Sequence, residues 1–213
     1  MNSDKIVGQL IHPFTYICCG PSQIGKTTLL LDLIEKKEDL IDGKIEKVVW
    51  VYGIDQPKYH EFAQKHSFIQ FTTEFEPETF TPNSLVILDD LQSSITSGPL
   101  QKRIQNFVIR SVSHCSVSLI LVLHNLFCPQ FRTISLSTHY ITFFNTIRDG
   151  NTIATLGRQI YPHHSNFLKE AFNYIVSRNS RGYVFLDLSI HQANKFRVRD
   201  NINVDLANFF VPV

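Results

Sequence analysis

Residues 18–31 read CCGPSQIGKTTLLL. Within them Gly20, Gly25, Lys26 and Thr27 fill the fixed positions of the pattern G-x-x-x-x-G-K-[ST]. That spacing suits one kind of chemistry. Successive backbone N–H groups of a glycine-rich loop wrap a phosphate, and the positive end of a following helix adds to the attraction. The loop runs through Gly20, Pro21, Ser22, Gln23, Ile24, Gly25, Lys26, Thr27 and Thr28. Lys26 is expected to reach the β- and γ-phosphates of a nucleoside triphosphate, ATP in the leading reading, and Thr27 to place its hydroxyl on Mg²⁺.

A second chemical signal follows. In LVILDD (85–90) four apolar residues lead to Asp89 and Asp90. An acid at the end of a buried strand holds Mg²⁺ through water, and a second acid beside it polarises the water that attacks the γ-phosphate. Asp89 is expected in the first role and Asp90 in the second. A solvated pair of acids at a strand end is the alternative, and the phosphate loop upstream argues against it.

These residues need elements to position them. FTYICC (14–19), KVVWVYG (47–53), FIQF (68–71), SLVILDDL (84–91), SVSLILVLHN (116–125) and HYITFFN (139–145) read as strands, the longest apolar ones buried on both faces. KTTLLLDLIEKK (26–37), QPKYHEFAQKH (56–66), GPLQKRIQNFVIRSVSH (98–114), GNTIATLGRQI (150–160) and SNFLKEAFNYIVSR (165–178) read as helices. The alternation predicts an α/β fold with three layers and a mostly parallel central sheet. YVFLDLSI and KFRVRDNI are expected to close it with a C-terminal β-hairpin.

The spacing sharpens the fold. One complete strand lies between loop and acids, and one long strand (117–123) follows. This suits P-loop ATPases that insert an additional strand between the phosphate-loop strand and the acid strand. The inserted strand would be VSLILVL, ending at His124 and Asn125. A polar residue there can sense the γ-phosphate. A GTPase would want D-x-x-G and N-K-x-D, whereas this chain has DDLQ and no N-K-x-D. A small-molecule kinase usually carries an arginine-rich lid, and the irregular stretch 126–138 holds only Arg132.

Composition sets the bounds. The 213 residues suit a single domain spanning 1–213, and 43% hydrophobic with 18% charged residues is a globular mixture. A formal net charge of +1 means that any DNA contact must come from a local patch. Cys18, Cys19, Cys115 and Cys128 show no C-x-x-C spacing and read as reduced thiols of an intracellular chain. Cys128 and the pair His163-His164 have no ligand partners at metal spacing. No apolar leader and no 18-residue apolar stretch is present, so neither secretion nor a membrane span is expected. In KFRVR (195–199) a strand would put Lys195, Arg197 and Arg199 on one face. They would then touch DNA phosphates or a neighbouring subunit, or keep a charged sheet edge from aggregating. The apolar end LANFFVPV either docks on its own core or reaches a partner.

Five segments in order, GPSQIGKT, LVILDDL, LHNLF, RTISLSTHYITFFNTIRD and LGRQIYP, resemble the genome-packaging ATPases of the FtsK–HerA group. The resemblance is strongest to those of Polinton/Maverick elements, adintoviruses and large DNA viruses such as poxviruses. It runs from about residue 12 to about residue 190. It implies a homo-oligomeric ring that pumps double-stranded DNA into a preformed capsid, with a capsid or portal protein as partner. It also implies a place in the nucleus or a virus factory of an infected cell. The strand-end polar residue becomes the γ-phosphate sensor. The group commonly has Gln then Asn there, and this chain has His124 then Asn125. The resemblance further implies an arginine finger acting on a neighbour's nucleotide, for which Arg132 and Arg148 are the matching residues. A helicase-like or AAA+-like replication ATPase and a P-loop nucleotide kinase remain the alternatives from residue patterns alone.

Overall fold

The computed structural model describes residues 8–91, 102–108, 115–127, 132–146 and 150–212. Its centre is a nine-stranded sheet. Strands β2 (Thr15–Cys19), β4 (Lys47–Tyr52), β5 (Ile69–Thr72), β6 (Ser84–Asp89), β7 (Val117–Leu123) and β8 (Tyr140–Phe144) run parallel. Strands β9 (Tyr183–Asp187), β10 (Val198–Arg199) and β11 (Phe209–Phe210) add antiparallel at one side. The order is β11-β10-β9-β8-β2-β7-β6-β4-β5. The additional strand is therefore where the spacing predicts it: β7 separates β2 from β6. Two short pieces, β1 (Leu10–Ile11) and β3 (Ile41–Asp42), pair apart from this sheet.

The layers follow from the period of the strands. Ile17 and Cys19 face one core, and Tyr16 and Cys18 face the other. The second core is covered by α1 (Lys26–Glu35), α2 (Lys37–Leu40) and α3 (Pro57–Lys65), through Leu30, Leu33, Leu40 and Tyr59. The first is covered by helical residues 102–108 (α4), α5 (Arg132–Leu136), α6 (Gly150–Ile160) and α7 (Phe167–Arg178), through Ile104, Ile134, Ile153 and Leu168. Every residue of β2, β6 and β7 is buried, as a strand covered on both faces requires. Of the expected helix 98–114, residues 98–101 and 109–114 lie outside the described residues, as does Cys128.

The C-terminal hairpin forms, but its basic segment does not extend as expected. Asn194–Phe196 is a 3₁₀ turn, and only Val198–Arg199 pairs with β9. The three cations therefore do not share a face. Arg197 donates to the carbonyl oxygens of Asp187 (2.8 Å) and Gln192 (3.1 Å). Arg199 is fully buried, donates through Nη2 to the carbonyls of Gly8 (2.7 Å) and Ile202 (3.3 Å), and lies 4.3 Å from the Phe185 ring centre. Lys195 rests over Phe196 at the surface. Backbone carbonyls hold Arg197 outside the ladder, whereas Arg199 stays in β10 with its side chain buried. Downstream, β11 pairs with β10, and Phe210 packs on the first core. Of the apolar end, Phe210 docks on its own core while Leu206 and Val211 stay exposed, and Val213 lies outside the described residues.

Arg199 is thus expected to act in stability. Arg199→Ala removes a buried cation and leaves a cavity, a loss of about 3 kcal/mol. For a chain of this size that lowers the melting temperature by roughly 6–12 °C. Lys195→Ala should change stability by less than about 0.5 kcal/mol. Thermal melts of both variants check the pair, and equal melting temperatures would refute the buried role.

Candidate active site

All six parallel strands end on one edge of the sheet, and the predicted site residues gather there. Leaving β2, the chain turns through the glycine-rich loop into α1. Gly20 must be glycine, because a Cβ there would stand 2.7 Å from the Phe144 side chain. Gly25 has φ 118°, a left-handed conformation that costs other residues energy, and it caps α1. The first helical bond, Leu29 N–H to the Gly25 carbonyl, measures 2.9 Å. The open N-terminus of α1 therefore faces the edge.

Lys26 is buried, and its ammonium donates to the carbonyls of Gly20 (2.7 Å) and Pro21 (2.8 Å). The cation closes its own loop into a ring. Burial pulls its pKa below the usual lysine value, and Cys18 and Asp89 partly oppose that pull.

Asp89 ends β6 and is only 4% exposed, yet it borders the cleft. The Tyr59 hydroxyl donates to its Oδ2 at 2.8 Å, and Gln56 Nε2 donates to the same hydroxyl at 3.0 Å. Tyr59 is itself wedged between Trp50, Tyr52 and Phe71. Burial raises the pKa of Asp89, with the Tyr59 hydrogen bond working against the shift and the Asp90 charge adding to it. Asp90 has φ 57°, and its Oδ1 lies 3.0 Å from His124 Nε2 at the end of β7. Its backbone approaches Gly53 so closely that a Cβ there would meet the Asp90 carbonyl at 2.6 Å.

A cleft of about 530 Å³ joins these groups. From the loop and α1 it takes Ser22, Gln23, Gly25, Lys26, Thr27 and Thr28, and from the strand ends Asp89, Asp90 and His124. Pro21 and Ile24 shape the loop from behind: the Pro21 carbonyl holds Lys26, and the Ile24 methyl packs at Gly20. Asn125 does not line the cleft. Its Oδ1 accepts from the Phe127 N–H at 2.9 Å and stabilises the turn after β7. Arg132, at the start of α5, is exposed and does not line this cleft either. Arg148 lies outside the described residues. Thr27 and Asp89 offer hard oxygen donors on the same cavity, which fits Mg²⁺.

Sequence patterns missed five lining residues, one of them Val122 inside β7. Ile54, Gln56 and Lys58 come from the β4–α3 connection, and Arg181 from the turn before β9. Pro57 at the start of a helix and the NSRG turn signal were legible. Nothing local tells which edge of the sheet a turn will meet.

No family model matches the sequence, and no curated protein matches it. Solved structures do. The genome packaging NTPase B204 of Sulfolobus turreted icosahedral virus 2, in complex with sulfate, superposes with a TM-score of 0.56 at 11% identity, covering 94% of this chain and 97% of that one. B204, the DNA-packaging ATPase of Sulfolobus turreted icosahedral virus, gives 0.54 at 13% identity, covering 95% and 99%. The virus 2 protein in complex with AMPPCP gives 0.52 at 12% identity, covering 94% and 98%. The chain has the fold of a P-loop NTPase. Loop, acid strand and additional strand occupy this fold in the order that the sequence predicts.

The raised pKa of Asp89 has a consequence for stability. The folded chain binds that proton more tightly than the unfolded chain, so ionising Asp89 opposes folding. The cost is absent below the unfolded pKa, grows as pH rises to the folded pKa, and is fully present above it. Asp89→Asn should therefore raise the melting temperature at pH 7 in the absence of nucleotide, by about 2–4 °C per kcal/mol relieved. The gain should shrink as pH falls towards the ordinary carboxylate range. Tyr59→Phe removes the opposing hydrogen bond, so it should push the Asp89 pKa higher and lower stability at pH 7. Melts across pH check the first effect, and carboxyl NMR titration checks the second.

Proposed function

We propose that this chain is the ATP-hydrolysing subunit of a motor that translocates double-stranded DNA, packaging a viral or virus-like genome into a capsid. The observation that carries the reading is the meeting of Lys26, Thr27, Asp89, Asp90 and His124 on one cleft, with β7 between the loop strand and the acid strand. Likeness over nearly the whole length of genome-packaging NTPases gives the direction of the proposal.

Each residue then has a task. The N–H groups of the loop and the α1 N-terminus bind the phosphates. Lys26 exchanges its two carbonyl partners for phosphate oxygens, which a charge-assisted contact favours. Thr27 and Asp89 would hold Mg²⁺, which when bound neutralises charge on the β- and γ-phosphates. Tyr59 fixes the orientation of the Asp89 carboxylate. Asp90 accepts a proton from the attacking water. His124, in contact with Asp90, is better placed than Asn125 to report the state of the γ-phosphate. Arg132 is exposed and available to a neighbouring subunit in a homo-oligomeric ring, where it would neutralise charge on that neighbour's γ-phosphate. Arg148 is the second candidate for that role. A capsid or portal protein would complete the assembly. Among the described residues no helix is long and apolar enough to cross a membrane, and the proposal involves none.

Lys26→Ala should weaken ATP binding by roughly 10–100-fold, the loss of a charged contact. Asp90→Asn should keep ATP and Mg²⁺ binding but lower turnover by about 10²-fold or more. A labelled ATP analogue and a phosphate-release assay measure the two effects side by side. Wild-type turnover in Asp90→Asn would remove that residue from the mechanism. Duplex DNA of any sequence should stimulate hydrolysis, less so as salt rises, because a motor grips phosphates. An assembled preparation whose rate ignores duplex DNA, or which phosphorylates a nucleotide instead, would overturn the motor reading.

A further inference from the structure

The cleft has two sides, and the sheet order fixes which is which. The phosphate loop leaves β2. Asp89 leaves β6, two strands away through β7. Arg181 precedes β9, two strands away in the opposite direction through β8. Neighbouring strands are spaced about 4.8 Å apart, so acids and arginine flank the loop at roughly 10 Å on either hand.

A nucleoside triphosphate gripped at the loop has its reacting phosphate on the side of the metal-binding acid and the water-polarising acid. Its nucleoside must then leave towards the other side, where Arg181 stands. Arg181 is exposed, lines the cleft, and its guanidinium makes no hydrogen bond or ion pair among the described residues. Its backbone, by contrast, is firmly held. The Gly182 N–H donates to the Asn179 carbonyl (2.7 Å), and the Arg181 N–H donates to Asn179 Oδ1 (3.0 Å). Asn145 Nδ2 donates to the Ser180 carbonyl (3.2 Å), tying the turn to the end of β8. Asn145 follows Phe144, the side chain that leaves no room for a Cβ at Gly20. A fixed turn therefore presents an uncommitted planar cation next to the loop.

Charge agrees with this placement. The cations lining the cleft are Lys26, Lys58 and Arg181, against the acids Asp89 and Asp90. Lys58 comes from the acid side, after β4. Arg181 is thus the lining cation on the far side of the loop.

We propose that Arg181 forms the nucleoside end of the site: within its own subunit it binds the α-phosphate and base-bearing part of the nucleotide, a contact that sets affinity without touching the reacting phosphate. Guanidinium suits that part of the ligand, since it can bond phosphate oxygens in a fork and stack on a heterocycle. This rests on the nucleotide reading above, and the test separates the two. Labelled ATP and labelled ADP are titrated against the full chain and against Arg181→Ala, and steady-state turnover is measured on both. The side chain has no structural partner among the described residues, so the variant should melt with the wild type. Arg181→Ala should weaken ATP and ADP by the same factor, roughly tenfold. KM should rise with kcat unchanged, the signature of an interaction present equally before and during reaction. A variant that loses ATP affinity alone, or loses kcat, would place Arg181 at the terminal phosphate and overturn the proposal. So would unchanged affinities for both nucleotides. A wild-type chain that binds neither nucleotide would instead sink the nucleotide reading itself, and this proposal with it.

Discussion

The protein depends on one constraint: six adjacent strands run parallel, and the inner ones, β2, β6, β7 and β8, are buried along their whole length. Parallel neighbours cannot be joined by tight hairpins, so each needs a crossover, and the crossovers supply the helical layers. Parallelism also sends every C-terminal strand end to one edge. Loop, acids and His124 come from β2, β6 and β7, which are far apart in sequence, yet they meet because those strands are neighbours in the order β2-β7-β6. Where the constraint lapses, at β9 to β11, the strands turn antiparallel, shorten, and end the sheet. The edge strand β11 has only two residues, and its Phe210 packs on the core.

Burial and charge pull against each other at the edge. Lys26 and Asp89 are both almost fully buried, and desolvation shifts each towards its neutral form. The chain answers with local partners: two loop carbonyls for the lysine and a phenol for the carboxylate. These partners are weaker than the charged groups of a bound nucleotide and its metal ion would be. Charged partners from a ligand would offset the desolvation of both groups, a local cost that the aromatic packing around Tyr59 and the sheet beneath help the fold to carry.

The legible part of the sequence was its local chemistry. G-x-x-x-x-G-K-T and LVILDD announce themselves because the phosphate loop needs Gly25 at positive φ and Gly20 against Phe144, and because an acid strand needs unbroken apolar residues. The additional strand was legible from spacing. What escaped was whatever depends on a distant partner. KFRVR looked like one strand, but only Val198–Arg199 pairs, and Arg197 is instead held by the carbonyls of Asp187 and Gln192. Tyr59 lies within the predicted helix 56–66, and nothing local tells that its hydroxyl serves an acid 30 residues away. Of His124 and Asn125, only the fold shows that the first meets Asp90 and the second serves a turn.

The arginines illustrate how position divides labour between similar side chains. Arg199 is buried among carbonyls and an aromatic ring, so its charge is spent on the fold. Arg197 clamps the hairpin in the same way. Arg181 and Arg132 are exposed, but the first lines its own cleft and the second does not. A cation that lines its own cleft can add to nucleotide affinity in every isolated subunit. An exposed cation outside that cleft can act on a nucleotide only across an interface. If both proposals hold, this chain would bind nucleotide before it assembles and would accelerate hydrolysis only after it does. That order is useful in a ring motor, because it couples turnover to assembly without a separate regulator.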